Sequence, residues 1–263
     1  MDRAFDFVPL DPRRSLTKPR KSGITMVKEY QYSPDQLRAL LEAAGDYIDI
    51  MKFVTGTARL FSRKTIAEKT ALLRAHQVQP MLGGQFQEYV LHTMGVDAMP
   101  RHLDEAKALG FEIVEISDNV VELPDGLRHE LMDRIRDLGM IPVGEIGEKT
   151  TNTSPRAIVD NVKLVLQEGS AFAMVEAQEL MLDGKPHAEL IELIRSEVDV
   201  TRCMFELSSP FVGSTYPEIF QGLKFLIKTF GPDVNLGNVQ NDWVIITECA
   251  RLGLGSAGPL AYL

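Results

Sequence analysis

Eight short apolar runs, rich in β-branched residues, recur along this 263-residue chain at intervals of roughly 30 residues, the length of one strand, one helix and two short loops. They occupy residues 24–27, 47–53, 78–82, 113–116, 141–143, 173–175, 203–205 and 234–236. Near-continuous apolar strands separated by helices indicate a parallel sheet covered on its outer face, and eight such units close into a (β/α)8 TIM barrel. Closure requires 24–27 and 234–236 to pair as neighbours, whereas a doubly wound open sheet, the alternative, leaves them at separate edges.

The segments between the runs carry helical signals. Leu127, Leu131, Ile135 and Leu138 are spaced to share one helix face. Ser33-Pro34 and Ser154-Pro155 read as helix starts, serine capping free N–H groups and proline fitting the first turn. Gly45, Gly110, Gly139, Gly169 and Gly231 stand where a left-handed residue would close each helix before the next strand. The expected organisation is one barrel domain over 23–263 preceded by an N-terminal arm, 1–22.

That arm holds the one basic cluster, Arg13, Arg14, Lys18, Arg20 and Lys21. It reads either as a solvated arm or as charges folded over an anionic site. The net charge of −9 argues against a nucleic-acid partner, which needs an excess of Lys and Arg on one face. No apolar run reaches the roughly 18 residues of a membrane span, and the N-terminus lacks the pattern of a secretory signal. A cytoplasmic protein is expected, working as a homo-oligomer without membrane contact. Cys203 and Cys249 sit in apolar runs and read as buried thiols, with neither a disulfide framework nor a zinc site.

In parallel barrels the reacting groups lie at the C-terminal ends of the strands. The residues there are unusually polar: Lys28 and Glu29; Lys52; Glu88; Asp118; Glu145; Glu176; Glu206 and Ser209; Gly237. Thr55, Thr57, Gly83, Gly84, Gln85, Ser117, Gln178, Ser208 and Asn238 are the candidates for binding a small anionic substrate. Converging carboxylates repel one another, so a divalent cation or neighbouring lysines must offset them. Oxygen ligands without His-x-His, HExxH or CxxC spacing favour Mg2+. Lys52 and Lys149 are placed to bind a carboxylate or phosphate, or to donate a proton if burial lowers their pKa. Glu206 joins them as a catalytic candidate, while the five histidines show no partners in sequence.

The stretches GDYIDIMKFVTGTA, GGQFQE, LGFEIVEISDN, GEIGEK, MFEL and VNLGNV, in this order along nearly the whole chain, resemble the phosphosulfolactate synthase family. The resemblance implies a (β/α)8 barrel, Mg2+, and addition of sulfite to C3 of phosphoenolpyruvate on the way to coenzyme M. It further implies Lys149 as the acid that protonates C2, with Glu145 and Glu176 at the metal. Three places depart from the family's pattern. Glu29-Tyr30-Gln31 stands for a typical Asp-Lys-Gly, and Gln178 and the segment around Gly255 lack arginines suited to forked binding of phosphate or sulfonate. The start, from Lys18 to Thr25, is similar to a plant heat-stress-associated branch. These departures leave open a different enoyl or keto acid substrate, or a non-catalytic member acting through protein contacts. They also suggest arm cations as substitutes for the arginines.

Overall fold

The apolar runs become eight parallel strands closed into a barrel in the computed structural model, which describes residues 4–146, 154–182 and 185–254. In chain order these are β1 (Thr25–Glu29), α1 (Pro34–Ala44), β2 (Ile50–Phe53), α2 (Arg63–Ala75), β3 (Gln79–Leu82), α3 (Gly84–Met94), α4 (Met99–Ala108), β4 (Ile113–Ile116), α5 (Leu127–Asp137), β5 (Ile141–Ile146), α6 (Pro155–Gln167) and β6 (Ala173–Glu176). A two-stranded hairpin follows, β7 (Met181–Leu182) and β8 (Lys185–Pro186), then α7 (Ala188–Glu197), β9 (Cys203–Glu206), α8 (Tyr216–Phe230), β10 (Leu236–Val239) and α9 (Val244–Leu252). Around the barrel the strands run β1, β10, β9, β6, β5, β4, β3, β2. The closing pair is β1 with β10, Thr25 opposite Leu236 and Val27 opposite Val239, with an irregularity between them.

Two apolar layers hold this arrangement. Ile24, Met26, Ile50, Met81, Ile113, Val143, Met174 and Met204 fill the barrel's interior, while the opposite faces of the strands pack against the helices in one large core. Strand side chains alternate with a period of two, so each strand feeds both layers. On α5, Leu127, Leu131 and Ile135 are buried and Leu138 packs against the same core. Ser33 caps α1 in a capping box with Gln36, and the Ser154 side chain accepts from the Ala157 N–H at the start of α6.

Boundaries shift where tertiary contacts outweigh local pattern. The second strand starts at Ile50 because Gly45–Tyr47 forms a 3-10 turn; Gly45 is right-handed there, not the left-handed helix end expected, whereas Gly110, Gly139, Gly169 and Gly231 do have positive φ. The last strand lies two residues later than its apolar run, taking in Gly237 and Asn238. Pairing with strands on both sides overrides their weak strand propensity. Cys203 is buried in β9, but Cys249 is only half-buried on α9, a correction to the reading of two buried thiols.

The arm is held to the barrel by Arg14, Lys18 and Arg20, while its residues 4–9 are exposed. It crosses the N-terminal end of the barrel, where Arg14 donates two hydrogen bonds to the Glu248 carboxylate, at 2.9 and 3.0 Å, and another to the Gly23 carbonyl. Arg20 donates to Asp49, whose other oxygen accepts from the Thr25 N–H, and Lys18 donates to the carbonyls of Gly45 and Ile48. Arm cations as substitutes for missing guanidinium groups at the mouth are therefore overturned for these three residues. They neutralise acids and carbonyls at the opposite end.

Candidate active site

The period of two that builds the interior layer also builds the site. Two residues beyond Met26, Ile50, Met81, Ile113, Val143, Met174 and Met204, on the same face of each strand, stand Lys28, Lys52, Gly83, Glu115, Glu145, Glu176 and Glu206. All seven line one cavity of about 120 Å3 at the C-terminal mouth. That is well below the roughly 300–1,000 Å3 of drug-sized sites, and suits a small metabolite.

Charges are sorted around the ring. Lys28 and Lys52 lie side by side in register on β1 and β2, and Glu176 is opposite Glu206 on β6 and β9. Lys52 bridges the two sides, its Nζ donating to Glu115 Oε1 at 2.6 Å and to Glu206 Oε1 at 2.9 Å. Burial works against the Lys52 ammonium, but Glu115, Glu206 and Glu145 outweigh it and hold its pKa above the ordinary value. Burial pushes the Glu206 carboxyl well up, with Lys52 opposing and Glu145, Glu176 and Glu115 adding to the rise. Burial draws Lys28 down to about 8, against the pull of Glu206.

Glycine makes room for this ring where β3 turns into α3. The Gly84 N–H donates to Glu115 Oε2 at 2.6 Å, and a Cβ at Gly84 would lie 2.5 Å from the Ser117 Cβ. Glu115 is thereby seated at the N-terminus of α3, where unpaired N–H groups and the helix dipole favour negative charge. Thr55 and Asn238, both at the rim, take positive φ of 52° and 56°, a strained conformation found mostly at functional sites.

The sequence candidates sort clearly on this geometry. Lys52, Thr55, Gly83, Gly84, Gln85, Glu145, Glu176, Glu206, Ser208 and Asn238 come together around the cavity. Thr57 instead closes a turn, its hydroxyl donating to the Val54 carbonyl at 2.9 Å. Ser117 is buried behind the wall, its hydroxyl donating to Glu88 and its N–H to the Gln87 side chain. Gln178 falls in the 3-10 turn after β6, and Lys149 and Gly255 lie outside the described residues. Glu115 and Tyr30 line the cavity without having been singled out as candidates. Glu115 hides inside the run 113–116, and its signal is a charge two residues after an inward apolar position.

Among the described residues, Glu115, Glu145 and Glu206 are the group able to hold a metal ion, offering carboxylate oxygens within 4.8 Å of one another. Glu206 Oε2 is buried and has no hydrogen-bond partner there. Four carboxylates against two ammonium groups leave the ring net negative, so the donor set fits a hard divalent cation.

Comparison with known proteins bears on what such a site does. Residues 13–257 match the family model described as (2R)-phospho-3-sulfolactate synthase (ComA). The phosphosulfolactate synthase of Methanothermobacter thermautotrophicus is 32% identical over 262 residues, 95% of each chain. The Arabidopsis thaliana protein HEAT-STRESS-ASSOCIATED 32 is 22% identical over 262 residues, covering 89% of this chain and 87% of its own. The 3-dehydroquinate dehydratase of Aquifex aeolicus superposes with a TM-score of 0.56 at 10% identity, covering 86% of this chain and 97% of its own, which shows the barrel fold alone.

Proposed function

Because the chain belongs to the (2R)-phospho-3-sulfolactate synthase family, and so is an enzyme of the lyase class, we propose that it adds sulfite to C3 of phosphoenolpyruvate in the cavity at the barrel mouth. The observation that carries this reading is the sorted ring of two lysines and four glutamates, closed to bulk water at its floor by the apolar layer.

In the reaction the sulfite sulfur forms a bond to C3, the C2–C3 π bond breaks, and its electrons build negative charge on C2 and the adjoining carboxylate. A proton then bonds C2, giving phosphosulfolactate with no change of oxidation state overall. Lys52, held charged by its two carboxylates, offsets the developing charge without having to move. Lys149, which follows β5 in the chain, is the proposed donor of the proton to C2. Glu115, Glu145 and Glu206 would hold Mg2+, with Glu176 beside them. When bound there, the ion supplies further positive charge for the substrate carboxylate.

Purified protein incubated with phosphoenolpyruvate, sulfite and Mg2+ should consume both reactants in equal amounts. Glu145→Gln should raise the Mg2+ concentration needed for turnover while leaving the fold intact. Failure to consume phosphoenolpyruvate under any Mg2+ concentration overturns the reading. A second reading, a different enoyl or keto acid in the same barrel, is favoured by Gln178 standing where the resembling motif carries arginine. Turnover of such an acid in place of phosphoenolpyruvate would establish it.

A further inference from the structure

Of the two cations lining the mouth among the described residues, one is already used. Lys52 is engaged by Glu115 and Glu206 at hydrogen-bonding distance. Lys28 is as deeply placed, at 4% exposure, yet no described carboxylate lies within ion-pair distance of it. Its Nζ lies 5.8 Å from the centre of the Tyr30 ring, and Lys52 is its in-register neighbour, so like charges flank each other on β1 and β2. Glu206 and Glu176 attract it only from beyond ion-pair distance, and a buried ammonium without a direct partner costs free energy that a folded chain does not carry without further compensation.

The surroundings of Lys28 point to what supplies it. β1 pairs with β10 on its other side, and at the end of β10 Asn238 reaches the cavity in its left-handed conformation. Beyond lies the turn after β9, which brings Ser208 and Ser209 to the same wall as Tyr30. This sector, formed by the ends of β1 and β10 and the turn after β9, holds an ammonium and neutral hydrogen-bonding groups, with Glu206 of β9 at its border with the acids. The acids able to share a metal stand on β4, β5 and β9.

We propose that Lys28 is the anion anchor of this site, binding the phosphoryl group of the substrate between the ends of β1 and β10 and the turn after β9. The substrate carboxylate then points toward Lys52 and the glutamates, C2 lies between the two charged ends, and the C3 methylene projects to the side of the line that joins them. Lys28 acts by contact with the ligand rather than through another residue. The identification of the group as phosphoryl rests on the phosphoenolpyruvate reading above; the anchoring of an anion by Lys28 does not.

The test is calorimetric titration of the full-length protein at pH 7 with Mg2+ present, using phosphoenolpyruvate and, separately, inorganic phosphate. Lys28→Met keeps the apolar stem and removes the charge; Lys28→Arg keeps the charge. Loss of one charge-assisted contact should weaken binding roughly ten- to a hundredfold in Lys28→Met, with Lys28→Arg close to wild type. Mg2+ affinity, titrated alone, should hold or tighten in Lys28→Met, because a positive charge leaves an acidic pocket. A structural role for Lys28 would instead lower the melting temperature and leave the ratio of anion to metal affinity unmoved.

If wild-type protein binds inorganic phosphate and not phosphoenolpyruvate, and Lys28→Met loses that binding, the anchor stands and the substrate reading falls. Equal affinities in wild type and Lys28→Met overturn the anchor, as does a wild-type protein that binds neither anion.

Discussion

Among the described residues lysine appears three times as a buried residue near β1 and β2, and its surroundings give each copy a different task. Lys52 is locked between two carboxylates and serves as a fixed positive charge. Lys69 pairs with Glu29 behind the barrel, packed over the rings of Phe53 and Phe61. Lys28 makes no direct ion pair with a described carboxylate and faces the cavity. A fourth ionisable group, His102, lies in the wall of a side cavity against Phe86, its Nε2 without a partner among the described residues. Burial holds its pKa down at about 4, against an ordinary 6.5. Between these values the unfolded chain binds the proton and the folded one does not. The stability due to neutral His102 is thus fully present above about pH 6.5 and is lost as pH falls toward about 4. We expect the urea midpoint to fall over this range, by on the order of 2 kcal/mol in free energy once the ring's partial exposure is allowed for. His102→Gln should flatten the upper part of that slope, and an unchanged profile would exclude His102 as its source.

At the scale of elements, glycine position separates site from scaffold. Gly84 begins α3 and lets β3, β4 and the Glu115 carboxylate approach its N–H, so an added Cβ would strike the Ser117 Cβ at 2.5 Å. Gly222 lies inside α8 with nothing within 4 Å of the position a Cβ would take. Gly84→Ala should destabilise by about 1–3 kcal/mol through overpacking, and should also impair turnover because Glu115 is displaced. Gly222→Ala should stabilise by about 0.5–1 kcal/mol with turnover unchanged, as alanine does in an unobstructed helix interior. Thermal melts of the two variants check both signs. Strand spacing, the serine caps at Ser33 and Ser154 and four of the five glycine helix ends were legible in sequence because each is a local rule. Gly45 was not, because the 3-10 turn it starts is pinned from outside by Lys18 donating to the Gly45 carbonyl.

Across the whole molecule the barrel divides its charges between two ends. The mouth carries the glutamate and lysine ring, and the N-terminal end carries an ion network of Arg14, Arg20, Asp49, Asp233 and Glu248. Such a division, stability at the bottom and chemistry at the top, is the general pattern of this fold. Arg14→Met would leave Glu248 buried without its bidentate partner, and breaking a buried pair costs about 3–5 kcal/mol. Anion and Mg2+ affinity should not change, since the lesion lies at the far end. Urea unfolding beside the calorimetric titrations reads both effects, and a weakened anion affinity would mean that the arm does serve the mouth.

The residue order alone determined the eight-unit repeat, the parallel sheet and its closure, since the periods of two and about 3.6 and the strand spacing are properties of a chain read locally. It also placed Lys52, Glu145, Glu176 and Glu206 at the mouth, because in a parallel barrel all strands point their C-terminal ends the same way. Only the tertiary structure decided which of these charges meet. That Lys52 spans from β2 to Glu115 and Glu206, that Ser117 and Thr57 turn to structural partners, and that Arg14 and Arg20 seal the opposite end all depend on contacts between residues far apart in the chain. Strand tilt and closure set those distances, and no local pattern encodes them.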